Sequence, residues 1–238
     1  MVRPATHGLS DMSSQDIAVN ALLRREETVV VALLLAFAGG CLDAYTWIIH
    51  GVLANAQTAN LIFLWVHGVA GDWARALHFV PPIMAFAAGI VIAAWLRRAV
   101  GERASAISIL VEILLLIAIG VLHNRLPEIA GTLGISLVAA MQAAVFTKVE
   151  GATYSTVMIT GNMRQAIEGI FALASGGGPP GTLRRSGIFA AVCGAFGAGA
   201  ALGALLTKAS PDLALALPVV ALLIVLLRCE VVRSEANS

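Results

Sequence analysis

The sequence predicts an all-α membrane protein with six transmembrane helices, arranged as two inverted three-span repeats that each contain a re-entrant half-helix hairpin. Three observations predict this fold class: the composition, the number of long apolar runs, and a polar motif that occurs twice. The chain of 238 residues is 59% hydrophobic and 12% charged, with a mean hydropathy of +0.88. A soluble domain carries about 25% charged residues to solvate its surface, so lipid is the expected solvent here.

Six apolar runs approach the ~20 residues that a helix needs to cross the hydrocarbon core. They cover 28–49, 79–96, 104–122, 129–147, 187–206 and 212–227. On this basis repeat one extends over 28–122 and repeat two over 129–228. Residues 1–27 and 229–238 are predicted to be cytoplasmic tails, and the first is expected to be partly disordered because it mixes charged residues with Ser and Gln.

Two shorter segments, 60–70 and 162–174, decide the topology. Basic residues favour the cytoplasmic side of a membrane. If neither segment spans, twelve of the fifteen Lys and Arg residues are cytoplasmic and only Arg75, Arg125 and Lys208 lie outside. If both span, the division becomes nine to five with one buried. The first segment would form ~16 Å of helix, about half of a ~30 Å core, so both are predicted to enter the membrane and return.

Two stretches, 85–96 and 195–206, are identical at six of twelve positions with an offset of 110. Both are rich in small residues, which allow helix backbones to approach closely, either within one chain or between copies in a homo-oligomer. The small residues at four-residue spacing are Gly89 and Ala93 in the second span, and Gly187, Ala191, Ala195, Gly199 and Gly203 in the fifth.

A polar triplet gives a more specific repeat. Thr-Ala-Asn at 58–60 recurs as Thr-Gly-Asn at 160–162. The triplets follow spans that end near Gly51 and Gly151, and each precedes a short apolar segment. Because three crossings are an odd number, the second repeat enters the membrane from the opposite face, which is the inverted arrangement of many transporters.

The polar residues at the two hairpin tips form the predicted solute site. Helix N-termini that point into the membrane interior carry free amide groups and partial positive charge, which favour an anion or the negative end of a polar solute. The alternative interpretation is that the Thr and Asn side chains only cap the helices. Gly161 would permit a tight turn or a close approach. The site residues are Gln57, Thr58, Asn60, Thr160, Gly161 and Asn162.

Two carboxylates lie inside apolar runs and are candidates for coupling or for lining a cavity. Asp43 is predicted ~9 Å below the outer end of its helix, where an exposed charge would be costly. It could bind a proton or cation, or it could accept hydrogen bonds from hairpin amides. Its counterpart in repeat two is Ala143, with Gln142 beside it. Glu112, in the third span, could be a neutral acid, a snorkelling group or part of a cavity.

The remaining polar residues give weaker signals. Arg164 and Glu168 are one helical turn apart, which favours a local ion pair that faces the cytoplasm. The histidines and the three dispersed cysteines lack ligand spacing, so no metal site and no cofactor are predicted. Motifs of common hydrolases and nucleotide-binding enzymes are absent, so an enzyme is not expected. A net charge of +1 without a basic stripe gives no indication of a nucleic-acid partner.

Gly40, Asp43, the run 54–60 and the triplet at 160–162 together resemble the YoaK family of bacterial membrane proteins. The resemblance covers about residues 28–228. That family has Thr-Gly-Asn in the first hairpin, where this chain has Thr-Ala-Asn. The resemblance implies a multi-pass protein of the bacterial inner membrane and supplies no activity.

These features together predict a small secondary transporter that binds a small polar or anionic solute between two re-entrant hairpins. A passive channel and a non-transporting membrane scaffold stay open as alternatives. Both termini are predicted to be cytoplasmic. The expected partners are membrane lipid, the solute and a second copy of the chain.

Overall fold

The computed structural model describes residues 27–122 and 125–236, which form nine α-helices and a short antiparallel ribbon. The helices are α1 (Val29–His50), α2 (Gln57–Val69), α3 (Trp73–Leu77), α4 (Val80–Val100), α5 (Ala104–Leu122), α6 (Glu128–Val145), α7 (Ile159–Ala174), α8 (Thr182–Ala209) and α9 (Ala216–Ala236). Strands β1 (Lys148–Val149) and β2 (Ala152–Thr153) pair between α6 and α7. The predicted tail over 1–27 lies outside the described residues except for Glu27.

Four stretches of the described chain are long and apolar enough to cross a membrane. They are Val29–His50, Trp73–Leu122, Thr182–Ala209 and Pro211–Cys229. The second stretch has 50 residues and contains both α4 and α5, joined by one 3₁₀ turn. A shorter apolar helix covers Ile129–Val145. The chain is therefore an all-α membrane protein apart from its two-residue strands.

The ends of α1 follow from local chemistry. Thr28 precedes the helix, and its Oγ1 accepts a hydrogen bond from Val31 N at 3.4 Å, which pairs one of the free first-turn amides. The helix ends at Gly51, whose left-handed φ of 67° turns its N–H back to the carbonyls of Thr46 and Trp47. Glycine adopts this conformation without the steric cost that a Cβ atom brings.

Observed and predicted helix bounds agree best where the sequence is uniformly apolar. Helix α5 has the predicted bounds. Helix α8 begins at Thr182, five residues before the predicted 187, because the exposed Arg184 and Arg185 in its first turn end the apolar run early. Helix α9 continues to Ala236, past the predicted end of the span at 227.

Hydrogen bonds between loops define two faces of the bundle. On the proximal face, where α1 begins, Glu27 O accepts from Glu150 N at 2.7 Å, and Arg97 donates to Ala144 O at 3.0 Å. On the distal face, where α1 ends, His78 Nε2 donates to His50 O at 2.6 Å. Successive long helices therefore alternate in direction between these two faces.

Helix α1 is the centre of the bundle and packs against α6, α8 and α9. Its crossing with α8 depends on glycine, because a Cβ atom at Gly40 would collide with Phe196 O and one at Gly199 with Phe37 O. Helices α4 and α6 cross in the same way, and a Cβ atom at Gly89 would collide with Leu137 O. The predicted small-residue packing therefore operates within the chain at these positions, whereas Gly187 faces open space.

Two short helices begin inside the bundle and run outward to opposite faces. We term residues 52–69, which end in α2, the first hairpin, and residues 146–174, which end in α7, the second hairpin. The helices have 13 and 16 residues, or about 20 and 24 Å at ~1.5 Å per residue, less than a ~30 Å hydrocarbon core. Both begin three residues before the predicted start.

This earlier start changes the role of the polar triplets. We expected 58–60 and 160–162 to form the turns before the short helices, but both triplets lie in the first helical turn. Gly161 is absent from the described residues with positive φ, so the expected tight turn at this glycine is wrong. The chain reverses instead at the preceding residues, 54–56 and 155–158.

Candidate functional site

The tip of the first hairpin is held together by Asn60. This side chain is fully buried, and its Nδ2 donates to Leu53 O at 2.6 Å while its Oδ1 accepts from Leu53 N at 3.0 Å. Nδ2 also donates to Gln57 Oε1 at 2.9 Å. One buried amide thus pairs both backbone groups of the residue seven positions earlier, which a membrane interior cannot leave unpaired.

Asn162 makes the same contact at the tip of the second hairpin. Its Nδ2 donates to Ser155 O at 2.7 Å and its Oδ1 accepts from Ser155 N at 3.2 Å, again seven residues earlier. Ser155 Oγ accepts from the amides of Val157 and Met158 at 3.3 and 3.0 Å. We call this two-bond contact the asparagine clasp. It is a structural role, different from a helix cap, because the asparagines occupy the fourth helical position.

Asp43 fastens the first hairpin to α1. Its Oδ1 accepts from Asn55 N at 2.7 Å, and the Asn55 side-chain amide and Ala54 N also lie against the carboxylate. Thr46 Oγ1, one turn further along α1, accepts from Ala54 N at 3.1 Å and donates to Leu42 O at 2.9 Å. Of the two roles predicted for Asp43, acceptance of hairpin amides is the one that these contacts describe; coupling stays a prediction.

Both hairpin tips reach Gly39, which is residue 11 of the 22 in α1. From the first hairpin, Asn55 Nδ2 donates to Gly39 O at 3.1 Å. From the second hairpin, Val157 Cγ1 and Thr156 O would lie 3.3 and 3.4 Å from a Cβ atom at Gly39. The tips therefore approach from opposite faces and meet at the midpoint of the central helix. A Cβ atom at Gly39 would fit tightly against the second tip.

A second polar cluster joins Glu112, Gln142 and Thr156, and we call it the acid–amide cluster. All three side chains are at most 1% exposed. With its amide nitrogen facing the carboxylate, Gln142 donates to Glu112 Oε1 and Oε2 at 3.1 and 3.3 Å, and its oxygen accepts from Thr156 Oγ1 at 3.2 Å. The structure thus connects two residues that the sequence singled out, from α5 and α6, with the second hairpin.

The other predicted site residues face outward. Thr58, Thr160 and Gly161 are exposed. Along α7 the stripe continues with Arg164 and Glu168, whose side chains are 70% and 62% exposed and lie 3.5 Å apart as the predicted ion pair. The second hairpin helix therefore presents a polar stripe that runs from its tip toward the proximal face.

Sequence reasoning missed several residues of the site, above all Asn55, Ser155 and Thr156. A usable signal was their position, because each is a polar residue in the short connection after Gly51 or Gly151. Asn55 Oδ1 is buried and has no hydrogen-bond partner within the described chain. Two cavities of about 260 Å³ lie elsewhere, one beside Arg184 and Phe189 and the other beside Tyr45 and His50.

Among the described residues, no group of three His, Cys, Asp or Glu side chains could hold a metal ion. The hairpin tips instead offer amides, hydroxyls and helical N–H groups. Such groups can hold a polar solute by hydrogen bonds. They also serve the backbone of the hairpins, which is already paired through the two asparagine clasps.

Comparison with known proteins identifies the family. Residues 31–228 match the family model described as "Protein of unknown function (DUF1275)". No curated protein and no solved structure matches the chain. The match covers most of the 238 residues, and the YoaK family inferred from the hairpin motifs is a member of this group. The chain therefore belongs to the DUF1275 family, of which the YoaK family is part.

Proposed function

We propose that this protein is a small secondary transporter of the bacterial inner membrane, which carries a small polar or anionic solute past the junction of its two hairpin tips. The observation that carries the proposal is the meeting of both tips at Gly39, in the middle of α1. In transporters with inverted repeats, the solute site lies near the midplane, where interrupted helices face each other.

The proposed inverted repeat is supported by equivalent contacts. The Gly199 approach to Phe37 O has its counterpart in the Gly89 approach to Leu137 O. The two glycines differ by the offset of 110 found in the sequence, and the two acceptors differ by 100. The helix pairs repeat as well, because α1 packs on α8 as α6 packs on α4, and α9 packs on α1 as α5 packs on α6.

The charge distribution supports a cytoplasmic proximal face. At or near that face lie Arg97, Arg98, Arg103, Lys148, Arg184, Arg185 and Arg228, and at the distal face Arg75, Arg125 and Lys208. Six spans follow if α4, α5 and α6 each cross. In that topology, cysteines that replace the exposed Trp73 and Ser175 react with an impermeant reagent from opposite sides of the membrane. Labelling from one side only would contradict the inverted repeat.

Tight packing at the junction favours a carrier over a channel. Asn60 and Asn162 are at most 1% exposed, and both tips touch Gly39. A channel needs a continuous pore, whereas a carrier passes through a closed state such as this one. The exposed stripe on α7 provides the approach from the proximal face, and the second hairpin tip is the part that moves.

The test begins with a thermal-stability screen of anions, amino acids and nucleobases against the purified protein, since a ligand stabilises the state that it binds. A stabilising solute is then used for uptake into proteoliposomes by wild type, D43N, N162A and the surface control R75A. We expect saturable uptake in wild type and R75A, with loss in the other two. Unchanged uptake in both D43N and N162A would contradict the proposed solute site.

The same assay separates the alternatives. Rapid flux that does not saturate and is independent of any ion gradient would indicate a passive channel. The absence of any stabilising solute and of any flux would indicate a membrane scaffold, in which the buried polar groups are only structural. Steady turnover of a stabilising solute into a product would contradict the expectation that the protein is not an enzyme.

A further inference from the structure

Glu112 is a fully buried carboxylate near the middle of α5, and within the described residues Gln142 is its hydrogen-bond partner. The Arg164–Glu168 and Arg184–Glu150 ion pairs lie elsewhere. Burial of an unpaired charge costs far more than burial of a neutral acid, so such a carboxylate binds a proton instead of staying charged. Glu112 has the surroundings of a proton-binding group.

The Gln142 amide can respond to this proton. When Glu112 is ionised, Gln142 donates to the carboxylate at 3.1 Å and accepts from Thr156 Oγ1 at 3.2 Å. When Glu112 is neutral, its O–H donates to the Gln142 oxygen, the amide is reversed, and its nitrogen faces Leu35 O at 3.4 Å. Thr156 Oγ1 donates to Gln142 in the first arrangement, and in the second it faces the amide nitrogen and must accept. The direction of the bond to the second hairpin therefore depends on the protonation of Glu112.

A route for the proton is present on the same helix face. Ser108 lies four residues before Glu112 and Ser105 three residues before that, a spacing that places the three side chains on one side of α5. Ser105 and Ser108 are at most 3% exposed, and Ser108 Oγ has no partner within the described chain. This line of hydroxyls leads from Glu112 toward the proximal end of α5.

The neighbouring titratable groups leave Glu112 without a counter-charge. Those on the elements packed against α5, and on α1 in the same core, include Arg97, Arg98, Glu102, Arg103, Asp212, Arg228, Cys229, Cys41, Asp43, Tyr45 and His50. Asp43 accepts the hairpin amides, Cys41 donates to Gly199 O, and the others lie toward the ends of the bundle. A hard metal cation would need about six oxygen ligands, more than one carboxylate, one amide and one hydroxyl supply.

We infer that a proton is the coupling ion of the transporter proposed above, that Glu112 binds it, and that Gln142 and Thr156 transmit its presence to the tip of the second hairpin. This inference rests on the proposed function for its biological meaning. Its physical content is separate, because it states that protonation reverses a hydrogen bond that holds one hairpin tip while the other tip is unaffected.

The test compares two equivalent positions on the two hairpins of the full chain. In a background without Cys41, Cys193 and Cys229, single cysteines replace Thr58 or Thr160, which are both exposed and both second in their helices. The maleimide reaction rate of each is measured over a range of pH in nanodiscs. The ratio of the two rates cancels the intrinsic pH dependence of thiol reactivity and leaves the response of the second hairpin.

In the parent protein we expect this ratio to change about fivefold or more with pH, the lower end of typical coupling between sites. E112Q should give a ratio that is independent of pH. T156V should also give a ratio that is independent of pH. Unlike E112Q, it should keep the infrared band of a protonated carboxyl. A flat ratio in the parent, or a pH response that survives in E112Q, would overturn the inference.

The experiment uses neither solute nor flux, so its result is independent of the transport assay. A pH-dependent ratio without any uptake would support the proton site and contradict the proposed transporter. Uptake that is independent of pH, together with a rate ratio that does not change with pH, would support the transporter and contradict proton coupling. Equal circular dichroism and gel-filtration profiles for E112Q, T156V and the parent are the folding control.

Discussion

The first and second hairpins contain the same asparagine clasp but are attached to the bundle differently. The tip of the first hairpin is bonded to α1 through Asp43, Thr46 and the Gly39 carbonyl. The second repeat has Ala143 where the first has Asp43. Within the described residues, one side-chain hydrogen bond, from Thr156 to Gln142, joins the tip of the second hairpin to α6. The clasp is thus the shared element, and anchoring of the tip is the variable one.

The second hairpin is anchored mainly at its base. Gly151 N donates to Glu27 Oε2 at 3.0 Å, and Arg184 Nε donates to Glu150 Oε2 at 3.0 Å, both on the proximal face. Helix α7 also packs along α8, and Cys193 Sγ lies 3.8 Å from Ile159 O. Only the tip, which has fewer bonds to α1 and α6 than the first tip, can open locally at low cost. In the proposed transporter the two related hairpins divide their roles, with the first tip as a fixed wall and the second tip as the moving part.

The largest expected effect is loss of the clasp itself. N60A and N162A each remove two buried bonds to backbone groups, and each unpaired group costs about 1–3 kcal/mol, so we expect about 2–4 kcal/mol of destabilisation in each variant. Unfolding in mixed micelles measures this. A large cost in only one hairpin would show that the clasp is not equivalent in the two.

The clasp also shows how far the sequence alone could reach. The repeated triplet correctly located two short helices and their buried asparagines. It could not give the partner of each asparagine, because Leu53 and Ser155 are bonded through backbone atoms, which leave no residue-type signal. The predicted helix starts are three residues late. The polar residues after Gln57 and Ile159 suggested a loop, whereas the structure has the first helical turn there.

The carboxylates were harder to interpret from sequence. Asp43 and Glu112 both appear as single acids in apolar runs, and hydropathy cannot distinguish them. Their difference comes from tertiary contacts: Asp43 receives backbone amides from a hairpin twelve residues away, whereas Glu112 meets Gln142 on a separate helix. Such pairings depend on helix crossings, and only the glycines at these crossings were visible in advance.

The next largest effect tests this difference between the acids. D43N places an amide donor against Asn55 N or Ala54 N, so we expect about 1–3 kcal/mol of destabilisation from a buried donor without an acceptor. E112Q resembles the neutral acid and should cost less than about 1 kcal/mol. Unfolding at neutral pH measures both. Equal losses, or a larger loss in E112Q, would contradict the assignment of Asp43 as the fixed anchor.

A smaller effect is expected at Ser155, whose place in the clasp is taken by Leu53 in the first hairpin. S155A removes the acceptor of Val157 N and Met158 N, and because Met158 is exposed the cost should be about 1 kcal/mol. Thr58 provides the control, since its exposed hydroxyl makes no hydrogen bond within the described chain and T58A should leave stability unchanged. A zero effect for S155A would mean that the second tip is held even more loosely.

The smallest effect on stability concerns the outer faces of the half-helices, although it gives the clearest contrast in accessibility. Arg164 and Ile62 each follow the clasp asparagine by two residues, and Ile62 is 55% exposed. Because the Arg164–Glu168 pair is solvent-facing, R164A should cost only about 0.3–0.5 kcal/mol.

A cysteine at 164 should react with an impermeant maleimide from the proximal side, since an exposed ion pair in a membrane protein must line water. A cysteine at 62, on a face of leucine, isoleucine and tryptophan, should be shielded by lipid. If both cysteines react equally, the second hairpin has no wet approach of its own, and the division between a fixed wall and a moving tip loses its support.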